Sequence, residues 1–322
     1  MNKLFEAVVA AIFLLAATTA FAADTQNSIL VTGASTGIGR HLTETLAENG
    51  YHVYAGARKD EDLAELDAID NVTAIRLDVT SQEQVDAAVE LVKKQGAGLY
   101  ALVNNAGVGG GGPVVETPIE DQTFVYRVNV EGVYRTTKAF APMIIESKGR
   151  IVTTGSIAGT GSAIPGFGAY SGSKHWIEAF TDSFATEMEP LGVMVSVVEP
   201  GNYKSNIRRS SVERRMEKVK ATQGDIPEEM EEAYEKTAER ELSYKEPDEV
   251  SEAFMHALFD DKPLRRYMVV PNEGEQEWTI RTQINELVQL NTWGPYSYTR
   301  DELVEMLDAA LAGDARAELL RT

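Results

Sequence analysis

The chain has 322 residues, 43% hydrophobic and 25% charged, no cysteine, and a formal net charge of -20. These values exclude disorder, collagen-like repeats and disulfide scaffolds, and the absence of cysteine excludes thiolate catalysis and zinc–thiolate sites. With 50 acidic residues against 30 basic ones and only four histidines, neither a nucleic-acid partner nor a metal centre is expected.

Residues 1–22 differ from the rest. Lys3 gives a short positive start, residues 7–17 form an unbroken apolar run, and Ala20-Phe21-Ala22 places small residues before Ala23-Asp24. This three-part pattern predicts a secretory signal peptide, and so an exported (periplasmic or secreted) protein. The run is shorter than the ~20 apolar residues that span a bilayer. Membrane association is expected only if the segment stays uncleaved as an anchor.

From residue 28 onward a short apolar run, a turn and a helical stretch repeat. Strands are predicted at 28–31, 51–57, 72–77, 99–103, 150–154, 193–198 and 267–270. A helix over 40–48 ends at the Asn49-Gly50 stop signal, and Leu63, Leu66 and Ile69 recur at helical spacing after the second strand. A further helix over 81–94 places Val85, Ala88 and Val92 on one face. Strands alternating with helices predict an α/β fold, a doubly wound parallel sheet of Rossmann type, as one domain over 26–322.

Two regions break this rhythm. Residues 207–247 are dense in charge yet keep an interrupted apolar stripe, which predicts a helical excursion that is either a solvated face or a lid. Residues 272–322 form a C-terminal extension with Trp278, Trp293, Tyr296 and Tyr298, expected in core or interface packing, and a helix over 300–311.

Between the first strand and the first helix stands Thr32-Gly33-Ala34-Ser35-Thr36-Gly37-Ile38-Gly39. Its three glycines permit a sharp turn and close approach of a ligand, while the helix start presents free N–H groups to a pyrophosphate. Four features follow in order. Leu77-Asp78-Val79 closes the third strand, Asn104-Asn105-Ala106-Gly107 the fourth and Ser156 the fifth, and Tyr170-Ser171-Gly172-Ser173-Lys174 opens the next helix. Together these motifs resemble the short-chain dehydrogenases/reductases in their compact single-domain form, over about residues 28–205.

Tyr170 and Lys174 are four apart, so they share a helix face. Bringing a tyrosine from a pKa near 10 toward 7 takes about 4 kcal/mol, which a neighbouring ammonium in a partly dry site can supply. The resemblance implies that Tyr170 is the general acid in carbonyl reduction and the base in the reverse direction. It also implies that Lys174 lowers that pKa and holds the nicotinamide ribose, that Ser156 polarises the substrate oxygen, and that Asn129 supports a water relay behind the lysine. For the cofactor it implies a phosphate turn of Gly33, Ser35, Thr36, Gly37, Ile38 and Gly39. Asp78 and Val79 would flank the adenine, and Asn105, Ala106 and Gly107 would line the adenosine ribose. Pro200, Gly201 and Ser205 would lie by the nicotinamide, with Ser205 where relatives often have threonine. Ser156 to Tyr170 is one residue longer than the common family spacing, and the extra residue is expected in the Thr160-Gly161-Ser162 loop.

After the second strand the sequence reads Ala57-Arg58-Lys59, with no carboxylate to bond a ribose 2′-hydroxyl and two cations to attract a 2′-phosphate. That favours NADP(H), with NAD(H) as the alternative. Val108, Ile164, Phe167, Tyr203 and the excursion are expected around the substrate, which predicts a small, largely apolar ketone or secondary alcohol. A non-redox epimerase or lyase, or a dinucleotide sensor without chemistry, are the rival readings. The resemblance also implies a homo-oligomer built on helices near 123–145 and 170–189.

Overall fold

The computed structural model describes residues 28–161 and 164–313. The expected signal segment and Ser162 of the expected insertion loop lie outside the described residues. Seven strands, β1 (Ser28–Thr32), β2 (His52–Ala57), β3 (Val72–Arg76), β4 (Ala101–Asn104), β5 (Arg150–Thr154), β6 (Met194–Pro200) and β7 (Arg266–Val269), form one parallel sheet. The order is β3-β2-β1-β4-β5-β6-β7, so the chain reverses its winding between β1 and β4. At that switch point Ile29 pairs with Val53 on one side and Ala101 on the other. Ligands of open parallel sheets bind outside the carboxyl ends of the strands at such a reversal.

The strands are buried on both faces, so each reads as a near-continuous apolar run. Successive residues point to opposite sides: Ile29 and Val31 enter one core, Leu30 the other. The first core is covered by α1 (Gly37–Glu48), through Leu42 and Leu46, and by α9 (Asp248–Phe259), through Val250, Phe254 and Leu258. The second is covered by three helices: α3 (Gln82–Gln95) supplies Val85, Ala88 and Val92, α5 (Val133–Ser147) Phe140 and Ile144, and α6 (Gly168–Met188) Ala185 and Met188. Apart from these, α2 (Asp60–Asp67) follows β2, and α4 (Ile119–Tyr126) precedes α5 through a π-helical segment, Arg127–Gly132. Trp176, Phe180 and Phe184 stack in series along α6.

The charged excursion consists of α7 (Ile207–Gln223) and α8 (Glu228–Leu242). Its register is set by a buried carboxylate. Glu241 near the end of α8 accepts the backbone N–H of Arg208 at 2.7 Å and of Arg209 at 3.3 Å, satisfying donors in the first turn of α7. Arg214 then reaches from α7 to the carbonyl of Gly109, with its guanidinium 5.2 Å from the Phe124 ring centroid. Lys218 pairs with Asp121 of α4.

The chain divides into two compact units, the first ending at Glu275 and the second covering Gln276–Thr322. The second holds most of α10 (Glu273–Leu290) and all of α11 (Arg300–Leu311), which starts at a capping box between Thr299 and Glu302. The aromatic residues expected in core or interface packing lie outside the core. Trp293 is 94% and Tyr296 90% exposed, while Trp278 and Tyr298 are partly exposed. Two helices are too few to enclose four large rings.

Candidate active site

The glycine turn sits at the switch point. Gly33 and Gly37 have φ of +66° and +57°, a left-handed conformation that side chains disfavour. A Cβ on Gly33 would lie 2.7 Å from the Ala106 backbone, so the turn can close on β4 only with glycine there. Thr32 Oγ1 accepts the backbone N–H groups of Asn105 and Ala106, each at 3.0 Å, and the Asn105 amide donates to the carbonyls of Thr32 and Gly33. Thr154 Oγ1 donates to Asn105 Oδ1 at 3.1 Å, which locks turn, β4 and β5 together.

A pyrophosphate fits this turn on one specific observation. Thr36 precedes α1 without making any capping bond, whereas Ser81 caps α3 through its side chain. The first-turn N–H groups of Gly37, Ile38 and Gly39 therefore keep free donors beside the positive end of the helix dipole. Ser35 is half-buried and Thr36 exposed at the same lip. Ser205, from the loop after β6, approaches so closely that a Cβ on Gly37 would be 3.1 Å from its own Cβ. Asp78 is half-buried after β3 and accepts from the backbone and hydroxyl of Thr80 at 2.8 and 2.7 Å. Val79 packs with Val108, Val125 and Val128. Pro200 and Gly201 are held by Ile157 N–H to the Pro200 carbonyl and by Gly201 N–H to the Val269 carbonyl.

Tyr170, Lys174, Ser156 and Asn129 converge beside this lip. Tyr170 and Lys174 lie one turn apart in α6, and the Lys174 ammonium is 5.8 Å from the Tyr170 ring centroid. Lys174 is buried, and its Nζ donates to the Thr154 carbonyl at 2.7 Å. Burial lowers its pKa to about 8, against an opposing pull from Glu178. Ser156 stands two residues past β5, accepts the Ala158 N–H through its Oγ at 3.1 Å, and its hydroxyl favours the ionised form of Tyr170. Asn129 stands in the π-helical segment. Its Oδ1 accepts from Val108 N–H at 2.8 Å, and its amide donates to the Val108 carbonyl and Ser173 Oγ, both at 3.0 Å. Gly107 lies between two of them: a Cβ there would sit 3.5 Å from Asn129 Oδ1 and 3.8 Å from Lys174 Nζ.

Three expectations change. Tyr170 is pushed above its ordinary pKa, chiefly by burial, with the Ser156 hydrogen bond and the Arg208 charge opposing. The Lys174 ammonium, expected to pull it down, donates to the Thr154 carbonyl. Tyr203 is no pocket wall: it is 3% exposed and packs in the core under α1 and α9. Arg208, read only as part of a charge run, has its guanidinium 5.5 Å from the Phe167 ring centroid, and that ring stands edge-on to Tyr170 at 6.4 Å.

Sequence reasoning also missed a buried triad behind the lysine. Arg266 Nε lies 2.9 Å from both Glu178 and Glu199, and the two carboxyls share that one guanidinium. A Cβ on Gly155 would be 3.0 Å from Glu178 Oε1, which places the pair against the Thr154–Ser156 backbone. Burial and the neighbouring Glu178 push Glu199 up to about 8. Glu178 at four residues past Lys174 was the available signal.

The short chain dehydrogenase family model matches residues 27–216. A mouse protein named D-beta-hydroxybutyrate dehydrogenase, mitochondrial, is 36% identical over 277 residues, covering 80% of this chain and 79% of its own length. A short chain dehydrogenase/reductase from Burkholderia phymatum, solved with NAD, superposes with a TM-score of 0.70 at 24% identity, over 84% of this chain and 98% of that one. The closed form of a serine dehydrogenase complexed with NADP+ gives 0.63 at 25% identity, over 75% and 94%. The glycine turn at the sheet's switch point and the tyrosine–lysine pair beside it thus have their counterpart in one family: the chain belongs to the short-chain dehydrogenases/reductases, nicotinamide-dependent oxidoreductases acting on CH–OH groups of small molecules.

Proposed function

We propose that this chain is an NADP(H)-dependent carbonyl reductase or secondary-alcohol dehydrogenase whose substrate is largely apolar. The observation that carries the reading is the convergence of Tyr170, Ser156 and Lys174 beside the uncapped start of α1. When bound, the reduced nicotinamide supplies the hydride. Tyr170, kept protonated by burial, gives its phenolic proton to the carbonyl oxygen as negative charge develops there. Ser156 orients that phenol and donates to the same oxygen as a neutral group. Lys174 uses one N–H on the Thr154 carbonyl, which leaves two for the ribose and for returning a proton to Tyr170. Asn129 holds the Val108 loop and α6 together behind the lysine. Val108 and Phe167 supply the apolar surroundings.

The preference for NADP(H) rests on which cation is free. At the end of β2, Lys59 pairs with Glu61 and Arg76 with Asp60, while Arg58 has no carboxylate within 4 Å among the described residues. Arg58 also acts on the buried Arg214, whose pKa it helps to lower. Two cations that repel each other are relieved by an anion placed near them, as a 2′-phosphate would be. Arg58→Ala is expected to weaken NADPH binding roughly tenfold or more, as for loss of a charge-assisted contact, and to leave NADH binding unchanged. Titration of nicotinamide fluorescence checks this, and equal effects on both cofactors would remove the preference.

The reading includes export, which rests on residues 1–22 of the sequence. Expression of the full chain followed by N-terminal sequencing is expected to find a mature start at Ala23, and retention of Met1 would contradict it.

A further inference from the structure

We propose that Arg208 anchors a carboxylate on the substrate, so that the molecule handled at Tyr170 is an oxo or hydroxy acid with an apolar body. This rests on the reading of Tyr170 as the reacting acid and names the substrate class of that site. Arg208 opens α7, and its guanidinium lies against the Phe167 ring, which in turn stands edge-on to Tyr170. One of its N–H groups donates to Asn202 Oδ1 at 2.9 Å. Asn202 cannot turn away: its amide donates to Glu275 Oε1 at 3.0 Å and its backbone N–H to Glu275 Oε2 at 2.9 Å. From the other side Glu241 fixes the backbone of Arg208 and Arg209. Two independent supports thus hold the guanidinium over the Phe167 ring, one ring away from Tyr170.

What its guanidinium lacks is an ion-pair partner. Around it, Lys204 pairs with Glu246, Arg209 stands 4.0 Å from Glu213, and Lys218 pairs with Asp121. The Arg208 guanidinium has no carboxylate within 4 Å among the described residues, only an amide oxygen and an aromatic face, while the Glu241 carboxylate that feels its charge is bonded to its backbone N–H. A half-buried cation held by neutral partners is poorly compensated for its lost hydration. The planar fork has five N–H donors, and an edge left open by Asn202 matches a carboxylate in bidentate geometry. A phosphate dianion would call for more positive charge, and the neighbouring Lys204 and Arg209 are directed at carboxylates. Phe167 and Val108 supply the apolar contact for the carbon chain between anchor and reacting carbon.

The test compares acids with their esters in the full chain and in Arg208→Gln and Arg208→Lys. Pyruvate, acetoacetate and levulinate, each beside its methyl ester, are assayed for NADPH oxidation and titrated by calorimetry into the protein–NADPH complex. The proposal expects at least one acid to outperform its ester in kcat/KM and in affinity. Arg208→Gln should raise KM for that acid roughly 10- to 100-fold, lower the acid-to-ester ratio of kcat/KM by the same factor, keep NADPH affinity, and be partly rescued by Arg208→Lys. Acid and ester treated alike by the wild type, or an acid-to-ester ratio unmoved by Arg208→Gln, would overturn it. Loss of NADPH affinity with an unmoved ratio would overturn it too, assigning Arg208 to the cofactor. Acid-selective binding that needs Arg208, without turnover of either member of any pair, would support the anchor while contradicting the redox reading.

Discussion

Tyr170→Phe lowers the rate of carbonyl reduction roughly 10²–10⁴-fold and leaves NADPH affinity where it was. The ring is retained, so its edge-on contact with Phe167 and its place beside Lys174 survive. What disappears is the hydroxyl that bonds Ser156 and would protonate the carbonyl oxygen. No neighbour replaces it well. Ser156 is a neutral hydroxyl with a far higher pKa, and the Lys174 ammonium is directed at the Thr154 carbonyl. Single-turnover kinetics with parallel fluorescence titration separates the two quantities. Unchanged turnover would remove Tyr170 from the chemistry, and lost binding would make it a cofactor ligand instead of an acid. The same variant separates an enzyme from a dinucleotide sensor, because only the enzyme has a rate to lose.

The second large effect concerns stability and is carried by Arg266. Removing it in Arg266→Met leaves Glu178 and Glu199 buried together without a counter-charge. Breaking a buried pair this way costs about 3–5 kcal/mol. The guanidinium is 38% exposed, so water offsets part of the loss, and about 2–4 kcal/mol is expected near pH 8. The cost shrinks as pH falls below about 8, where Glu199 takes up its proton. In the wild type Glu199 has a folded pKa above its unfolded one, so folding takes up a proton. Its contribution is therefore fully present below the ordinary carboxylate range and is lost as pH rises toward about 8. Lys174, lowered to about 8, has the opposite sign and acts only above that value, where stability rises toward its unfolded pKa. Urea denaturation across this range in wild type and Glu199→Gln is expected to show a slope of up to about 1.4 kcal/mol per pH unit that the variant loses. An equal slope in both would reject the raised pKa of Glu199.

The order of elements was legible because a parallel sheet buried on both faces leaves near-continuous apolar strands, and β5 falls at the expected residues 150–154. Edges moved where hydrogen bonding and side-chain pattern part company. Strand β4 begins at Ala101, two residues after the apolar run starts at Leu99, and β6 extends through Glu199 to Pro200. The residues around Tyr170 were legible because they lie at strand ends and on one helix turn, where spacing fixes proximity. Arg208 and the Glu178–Glu199–Arg266 triad were hidden by distance along the chain. Arg266 stands 88 residues from Glu178: the β6–β7 pairing sets it beside the strand of Glu199, and the packing of α6 on β6 brings Glu178 to both. Asn129 was found by its motif, but nothing in Val128-Asn129-Val130 announces a π-helical segment, which depends on how α4 and α5 meet. Tyr203 was misplaced, and the tryptophans left between core and interface, for one reason: an aromatic residue in sequence shows that it will pack, not against what.

The account is tested most directly by following the hydride. The full chain is incubated with NADPH deuterated at the transferable position of its nicotinamide ring and with a panel of apolar ketones and oxo acids, and products are read by mass spectrometry. The account predicts an alcohol carrying one deuterium on its carbinol carbon, lost in Tyr170→Phe while that variant still binds NADPH. A wild-type protein that binds NADPH with the same affinity as the variant, yet delivers deuterium to no carbonyl in the panel, would contradict it.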